Sequence, residues 1–128
     1  MITEDYVSFE TAKLLKEKGF DGECRDYYNT DGHFYSEDFR SNWNDVGGAT
    51  TIFSAPSLAL AMKWLREEKN IISNIWRSNG DDTAWCSQYL GPVPSNPKLK
   101  DFFLIGEGYR TYEEACEAAI KYCLENLI

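Results

Sequence analysis

The 128-residue chain is short of the side chains that most catalytic and metal chemistry relies on: it has one histidine, His33, and four cysteines. No two of those cysteines stand at the C-x-x-C spacing of a zinc or redox site. Basic residues are also scarce, 13 Lys and Arg against 21 Asp and Glu, for a net charge of -8. Affinity for a phosphate backbone comes from clustered cations, so direct nucleic-acid binding is not expected. No run approaches the ~20 apolar residues of a membrane-spanning helix. The opening Met1-Ile2-Thr3-Glu4-Asp5 has neither the basic nor the apolar part of an export signal. These absences lead us to expect a cytoplasmic protein with no membrane partner and no cofactor. In a reducing compartment Cys24, Cys86, Cys116 and Cys123 stay thiols. Cys116 and Cys123, seven residues apart on a helix, would lie roughly 10 Å from each other, beyond the ~7 Å reach of a disulfide.

What the chain does hold is apolar and aromatic material, 43% and 15% of its residues, enough to build the core of one domain spanning 1–128. Ser8 is placed to cap a helix over residues 9–18 with Ala12 and Leu15 inward. Gly19 suits its left-handed end, and Phe20 then folds back on Leu15. Ala55-Pro56-Ser57 opens a second helix with Pro56 at its first position, Leu58, Ala61, Met62 and Leu65 as its stripe, and Asn70 as its stop. Thr111 and Glu114 form a capping box for a third helix with Ala115, Cys116, Ala119, Cys123 and Leu127 buried. Between the helices the period changes to two. Residues 24–29 and 33–36 read as a hairpin about Thr30-Asp31-Gly32. Residues 71–77 and 83–90 read as a second hairpin about Asn79-Gly80, and 102–105 as a short buried strand. The stretch 91–97, with three prolines, reads as a connection. The expected fold is α+β, three helices packed with an antiparallel sheet of about five strands.

Three stretches carry a further likeness: Tyr6 to Phe20, Ser54 to Glu67, and Tyr112 to Leu124. There the chain resembles small uncharacterised proteins of gut Bacteroides-type bacteria, often found in phage-like or mobile elements. The resemblance implies a bacterial cytoplasmic setting and no catalytic residues.

Charge and aromatic rings point to a surface. Residues 21–53 hold seven acids against Arg25 and Arg40, interleaved with Tyr27, Tyr28, Phe34, Tyr35, Phe39 and Trp43; helix three adds a balance of -3. Aromatic rings give contact area and acids steer a basic partner. The candidate interaction surface is therefore Tyr27, Tyr28, Tyr35, Glu37, Asp38, Phe39 and Trp43. Trp76 and Trp85 join them, because a turn at Asn79-Gly80 sets both on one face of the second hairpin. The function expected is a small acidic protein-interaction or accessory module whose partner has a basic surface. One form of it is a nucleic-acid mimic presenting carboxylates in place of phosphates. The alternative is a small enzyme with a thiol and base at Cys24 and His33. Asn29, Asp31, Gly32 and Asp38 copy part of a calcium loop, but Tyr27 holds the first ligand position, and a turn is the expected reading. Gly47-Gly48-Ala49-Thr50-Thr51 lacks the lysine of a phosphate loop and reads as a plain loop.

Overall fold

In the computed structural model residues 2–46, 51–78, 84–93 and 95–128 are described. They form an α+β fold with three α-helices and two three-stranded antiparallel sheets. The single five-stranded sheet expected from the sequence is thus replaced by six strands in two sheets. The chain divides into two compact units, Met1–Ala61 and Met62–Ile128, the boundary falling inside the second helix.

The first unit begins with α1, Phe9–Glu17. The Ser8 hydroxyl accepts from the Thr11 amide at 3.2 Å. At the other end Gly19 takes φ +89°. The Gly19 amide bonds the Lys16 carbonyl and the Phe20 amide bonds the Leu15 carbonyl, the paired closure that a left-handed glycine permits. Ala12, Leu15 and Phe20 are all buried. Strand β1, Cys24–Tyr28, pairs with β2, Phe34–Ser41, on one side and β3, Phe53–Ser54, on the other, so β2 is an edge. The β1–β2 turn is held by Asn29, whose side-chain oxygen accepts from the amides of Asp31 and His33, with Gly32 at φ +83°. That is turn chemistry. Strand β2 runs five residues past the expected end at 36, because a bulge shifts the register between Cys24↔Ser41 and Asp26↔Ser36. A 3-10 turn, Trp43–Asp45, follows. The Asn44 side chain ties it in, donating to the Phe20 carbonyl and accepting from the Ser54 amide. Gly47-Gly48-Ala49-Thr50 lies outside the described residues.

Helix α2 is Leu58–Lys69. Ser57 and not Pro56 sits at its mouth, its hydroxyl accepting from the Leu60 amide. Proline is one residue too early for the first helical turn because its carbonyl is engaged by the Val7 amide. Asn70, at φ +57°, ends the helix, with the Ile71 amide on the Leu65 carbonyl.

The second unit holds β4, Ile72–Arg77, β5, Trp85–Val93, and β6, Asn96–Tyr109, in that order across the sheet, followed by α3, Tyr112–Asn126. The Thr111 hydroxyl accepts from the Glu114 amide, and the Glu114 carboxylate reaches the Arg110 amide, one residue outside the expected box. The buried side of α3 is Ala115, Cys116, Ala119, Ile120, Cys123 and Leu124; Leu127 sits at the cap, half-buried. Three expectations change here. The connection at 91–97 is strand: β5 continues through Pro92, which is tolerated because β4 stops at the pair Ile72↔Leu90 and leaves no ladder on that side. Residues 102–105 belong to the fourteen-residue β6, and Phe102 and Leu104 are more than half exposed. Finally, the β4–β5 register pairs Trp76 with Cys86 and Arg77 with Trp85. Trp76 and Trp85 therefore lie on opposite faces, since paired residues share a face and neighbours alternate. The bond from the Ser78 amide to the Ala84 carbonyl encloses an odd number of residues, where the expected turn at Asn79-Gly80 needs an even one; those two residues lie outside the described ones. Trp85 packs edge-on against Tyr112, and Tyr89 meets Tyr122, so this is the face that α3 covers. The other face carries Ile72, Trp76, Phe102 and Leu104, all exposed.

Candidate functional site

The aromatic residues of the first unit are divided by the pleat of β1. Tyr28 pairs with Phe34 and Phe53, while Tyr27 pairs with Tyr35 and Ser54. On the Tyr28 side the rings close inward. Phe9 meets Tyr28 at 5.5 Å and Phe53 at 5.7 Å, and Tyr6 meets Phe34 at 5.2 Å. The Tyr28 hydroxyl donates to the Val7 carbonyl at 2.7 Å. Tyr28 is thus a packing residue of the α1 layer.

On the Tyr27 side the rings form a continuous row. Tyr35 stacks on Tyr27 at 5.6 Å, Tyr27 meets Trp43 at 4.7 Å, and Trp43 meets Phe39 at 5.5 Å. The two ends of the row are open, Tyr35 at 44% and Phe39 at 59% exposure, while Trp43 in the middle is at 7%. Trp43 is fixed by its indole N–H, which donates to the Cys24 carbonyl at 2.7 Å. It serves as the support of the row and not as a projecting anchor. Glu37 accepts the Tyr27 phenol at 2.9 Å. That bond, with burial second, pushes the phenol above its ordinary pKa. The Glu37 backbone carbonyl takes the Arg25 Nε, and Asp38, fully exposed, stands 3.9 Å from Arg25.

Charge is concentrated in the same unit. Residues 1–61 carry eleven acidic and five basic side chains, a balance of -6, against ten and eight, or -2, for residues 62–128. The acidic character of the chain therefore belongs to the unit that bears the open aromatic edge. Trp76 and Trp85 belong to the other unit.

Cys24 and His33 are not brought together. Cys24 opens β1 while His33 follows the turn at its far end, about 16 Å of strand away. The Cys24 thiol is buried and donates to the Asp26 carbonyl at 3.3 Å, and burial pushes its pKa up; a raised thiol pKa means less thiolate, the opposite of an activated nucleophile. Among the described residues no group of three or more His, Cys, Asp or Glu is placed to hold a metal ion, and no helix is long and apolar enough to cross a membrane. All four cysteines are buried free thiols.

No protein family, curated protein or solved structure matches the chain.

One feature of the first unit escaped the sequence reading. The segment before α1 runs antiparallel to the entry of α2, with Tyr6 bridged to Ser57 and the Leu58 amide on the Asp5 carbonyl. Together with the bulge of β1 and β2 it frames a cleft of about 330 Å³ whose lining includes Glu4, Tyr6, Cys24, Arg25, Asp26, Arg40 and Leu60. Asp26 is only 7% exposed. The Tyr6 phenol is raised by burial first and by the nearby Asp26 and Glu4 carboxylates next. No motif spacing announces this set, because a bulge and a two-residue bridge assemble it.

Proposed function

We propose that the chain is a small acidic protein-interaction module, cytoplasmic and accessory to a phage-like or mobile element, which docks a partner with a basic surface along the β2 edge. The observation that carries this reading is the row Tyr35–Tyr27–Trp43–Phe39, whose two open ends, Tyr35 and Phe39, both lie on the edge strand β2. An edge strand offers backbone donors and acceptors to an incoming extended segment, and adjacent rings give it contact area. Acids on the same strand select the sign of that segment. Glu37 and Asp38 disfavour an acidic strand and admit a basic one, as charged residues on natural edges do. The balance of -6 in the same unit supports long-range attraction of such a partner.

The test compares the proteins captured from a bacterial lysate by the native chain with those captured by Phe39→Ala and by the double reversal Glu37→Lys with Asp38→Lys. Both variants are expected to lose the same captured species, and association of the native chain to slow roughly 10-fold as salt is raised. Capture of an unchanged set by the double reversal rules the edge out.

A further inference from the structure

Asp26 is only 7% exposed as a residue, and among the described residues its carboxylate makes no hydrogen bond or ion pair; its oxygens are not sealed from solvent, so the carboxylate opens to the cleft, while its backbone carbonyl is engaged by the Ala55 amide and the Cys24 thiol. Two arginines, Arg25 and Arg40, line the same cleft. Arg25 is held from behind by the Glu37 carbonyl and turned toward Asp38. Arg40 has no ion pair or hydrogen bond among the described residues. A carboxylate and a guanidinium thus face one cavity without closing on each other. The bulge explains the spacing: extra residues of β2 are pushed out of register opposite Arg25, which places Arg40 at the rim and away from Asp26. The cavity has the size of a small-molecule site, and Tyr6 and Leu60 give it one ring and one aliphatic side.

We propose that this cleft is a binding site for a small zwitterion, a free amino acid or short peptide, whose ammonium group pairs with Asp26 and whose carboxylate is taken by Arg40 with Arg25 beside it. Glu4 reinforces the ammonium end, and the Tyr6 ring offers a face to the cation. A planar guanidinium suits a carboxylate, with two parallel N–H donors. The cleft shares Arg40 with strand β2, and Arg25 with the acids of that strand, but the open rings Tyr35 and Phe39 do not line it.

The experiment is a titration of the native, isotope-labelled chain with the protein amino acids one at a time, and with diglycine and triglycine, at millimolar concentration, followed by amide resonances. N-acetylglycine and glycinamide supply each charge alone. At least one zwitterion is expected to saturate shifts at Tyr6, Asp26, Arg40 and Leu60, and the matching compounds with one charge removed to bind roughly 10-fold or more weakly. Asp26→Asn should remove the dependence on the ammonium and Arg40→Gln the dependence on the carboxylate. The free protein supplies a second readout: because the carboxylate makes no bond within the fold, Asp26→Asn should leave the melting temperature within about 2 °C of the native value, whereas a structural Asp26 would lower it. Absence of saturable shifts in the cleft with every compound, equal binding of the single-charge compounds, or a destabilised Asp26→Asn would each overturn the assignment.

Discussion

Replacing Trp43 by alanine should be among the most damaging single changes in the first unit. The indole is almost wholly buried, in contact with Tyr27 and Phe39, and its N–H satisfies the Cys24 carbonyl at 2.7 Å. Removing a buried tryptophan costs about 3–5 kcal/mol through lost transfer energy and the cavity left behind. Losing the partner of a buried carbonyl adds about 1 kcal/mol. Against a typical total of roughly 5–15 kcal/mol, that is a large share of the stability. With an unfolding slope near 2 kcal/mol per molar urea, the midpoint followed by circular dichroism should fall by about 2 M. Trp43→Phe keeps an aromatic face but loses the N–H and part of the indole volume, so its midpoint should fall by about 1 M, between the native chain and Trp43→Ala. A Trp43→Ala protein with an unmoved midpoint would refute the support role, and with it the view that the ring row is rigid. If Trp43→Ala instead unfolded normally but released a captured partner faster, Trp43 would have to be read as an interface anchor.

Gly19→Ala should cost about 1 kcal/mol in a thermal melt: an added Cβ would meet nothing within 4 Å, so the penalty is purely that of a side chain at φ +89°. Thr111→Ala should remove the Glu114 cap and lower stability by about 1 kcal/mol, checked by the same melt. Burial pushes the Cys116 thiol to about 11 and Cys123 to about 12. The unfolded chain therefore ionises first as pH rises, so stability should be unchanged by these thiols below the ordinary value of 9.0 and fall steadily between there and about 12, measured as the urea midpoint against pH. Replacing both by alanine should flatten that fall.

The helix ends were the most legible part of the sequence, because Ser8, Gly19, Asn70 and Thr111 act on backbone groups only a few residues away. Strand composition was legible too, but strand partnership was not. The β4–β5 register depends on whether the loop between Ser78 and Ala84 has an odd or even number of residues, and one residue of difference moved Trp85 from the face of Trp76 to the face against α3. Pro92 read as a breaker because proline lacks a donor, yet it pairs with Lys100 of β6 on one side while the β4 ladder has already ended at Leu90 on the other. In the candidate site, the acidic and aromatic composition of 21–53 was plain, and the exposed positions Tyr35, Asp38 and Phe39 agree with it. Which rings support and which protrude was decided by the pleat and by one indole hydrogen bond. Asp26 passed unnoticed among seven acids because burial, and not identity, distinguishes it.

The early end of β4 gives the second sheet two kinds of backbone protection. As far as Leu90, β5 has a neighbour on both sides; beyond it, β5 and β6 continue as a ribbon of two strands, through Gly91↔Asp101 and Pro92↔Lys100 to Val93↔Asn96. In that ribbon β5 is covered on one side only, whereas in the three-stranded part it lies between two neighbours. Solvent exchange should therefore open this sheet like a zipper from its Asn96 end, and a protease given the native protein should find its first foothold between Asn96 and Asp101 while the layer under α3 stays closed.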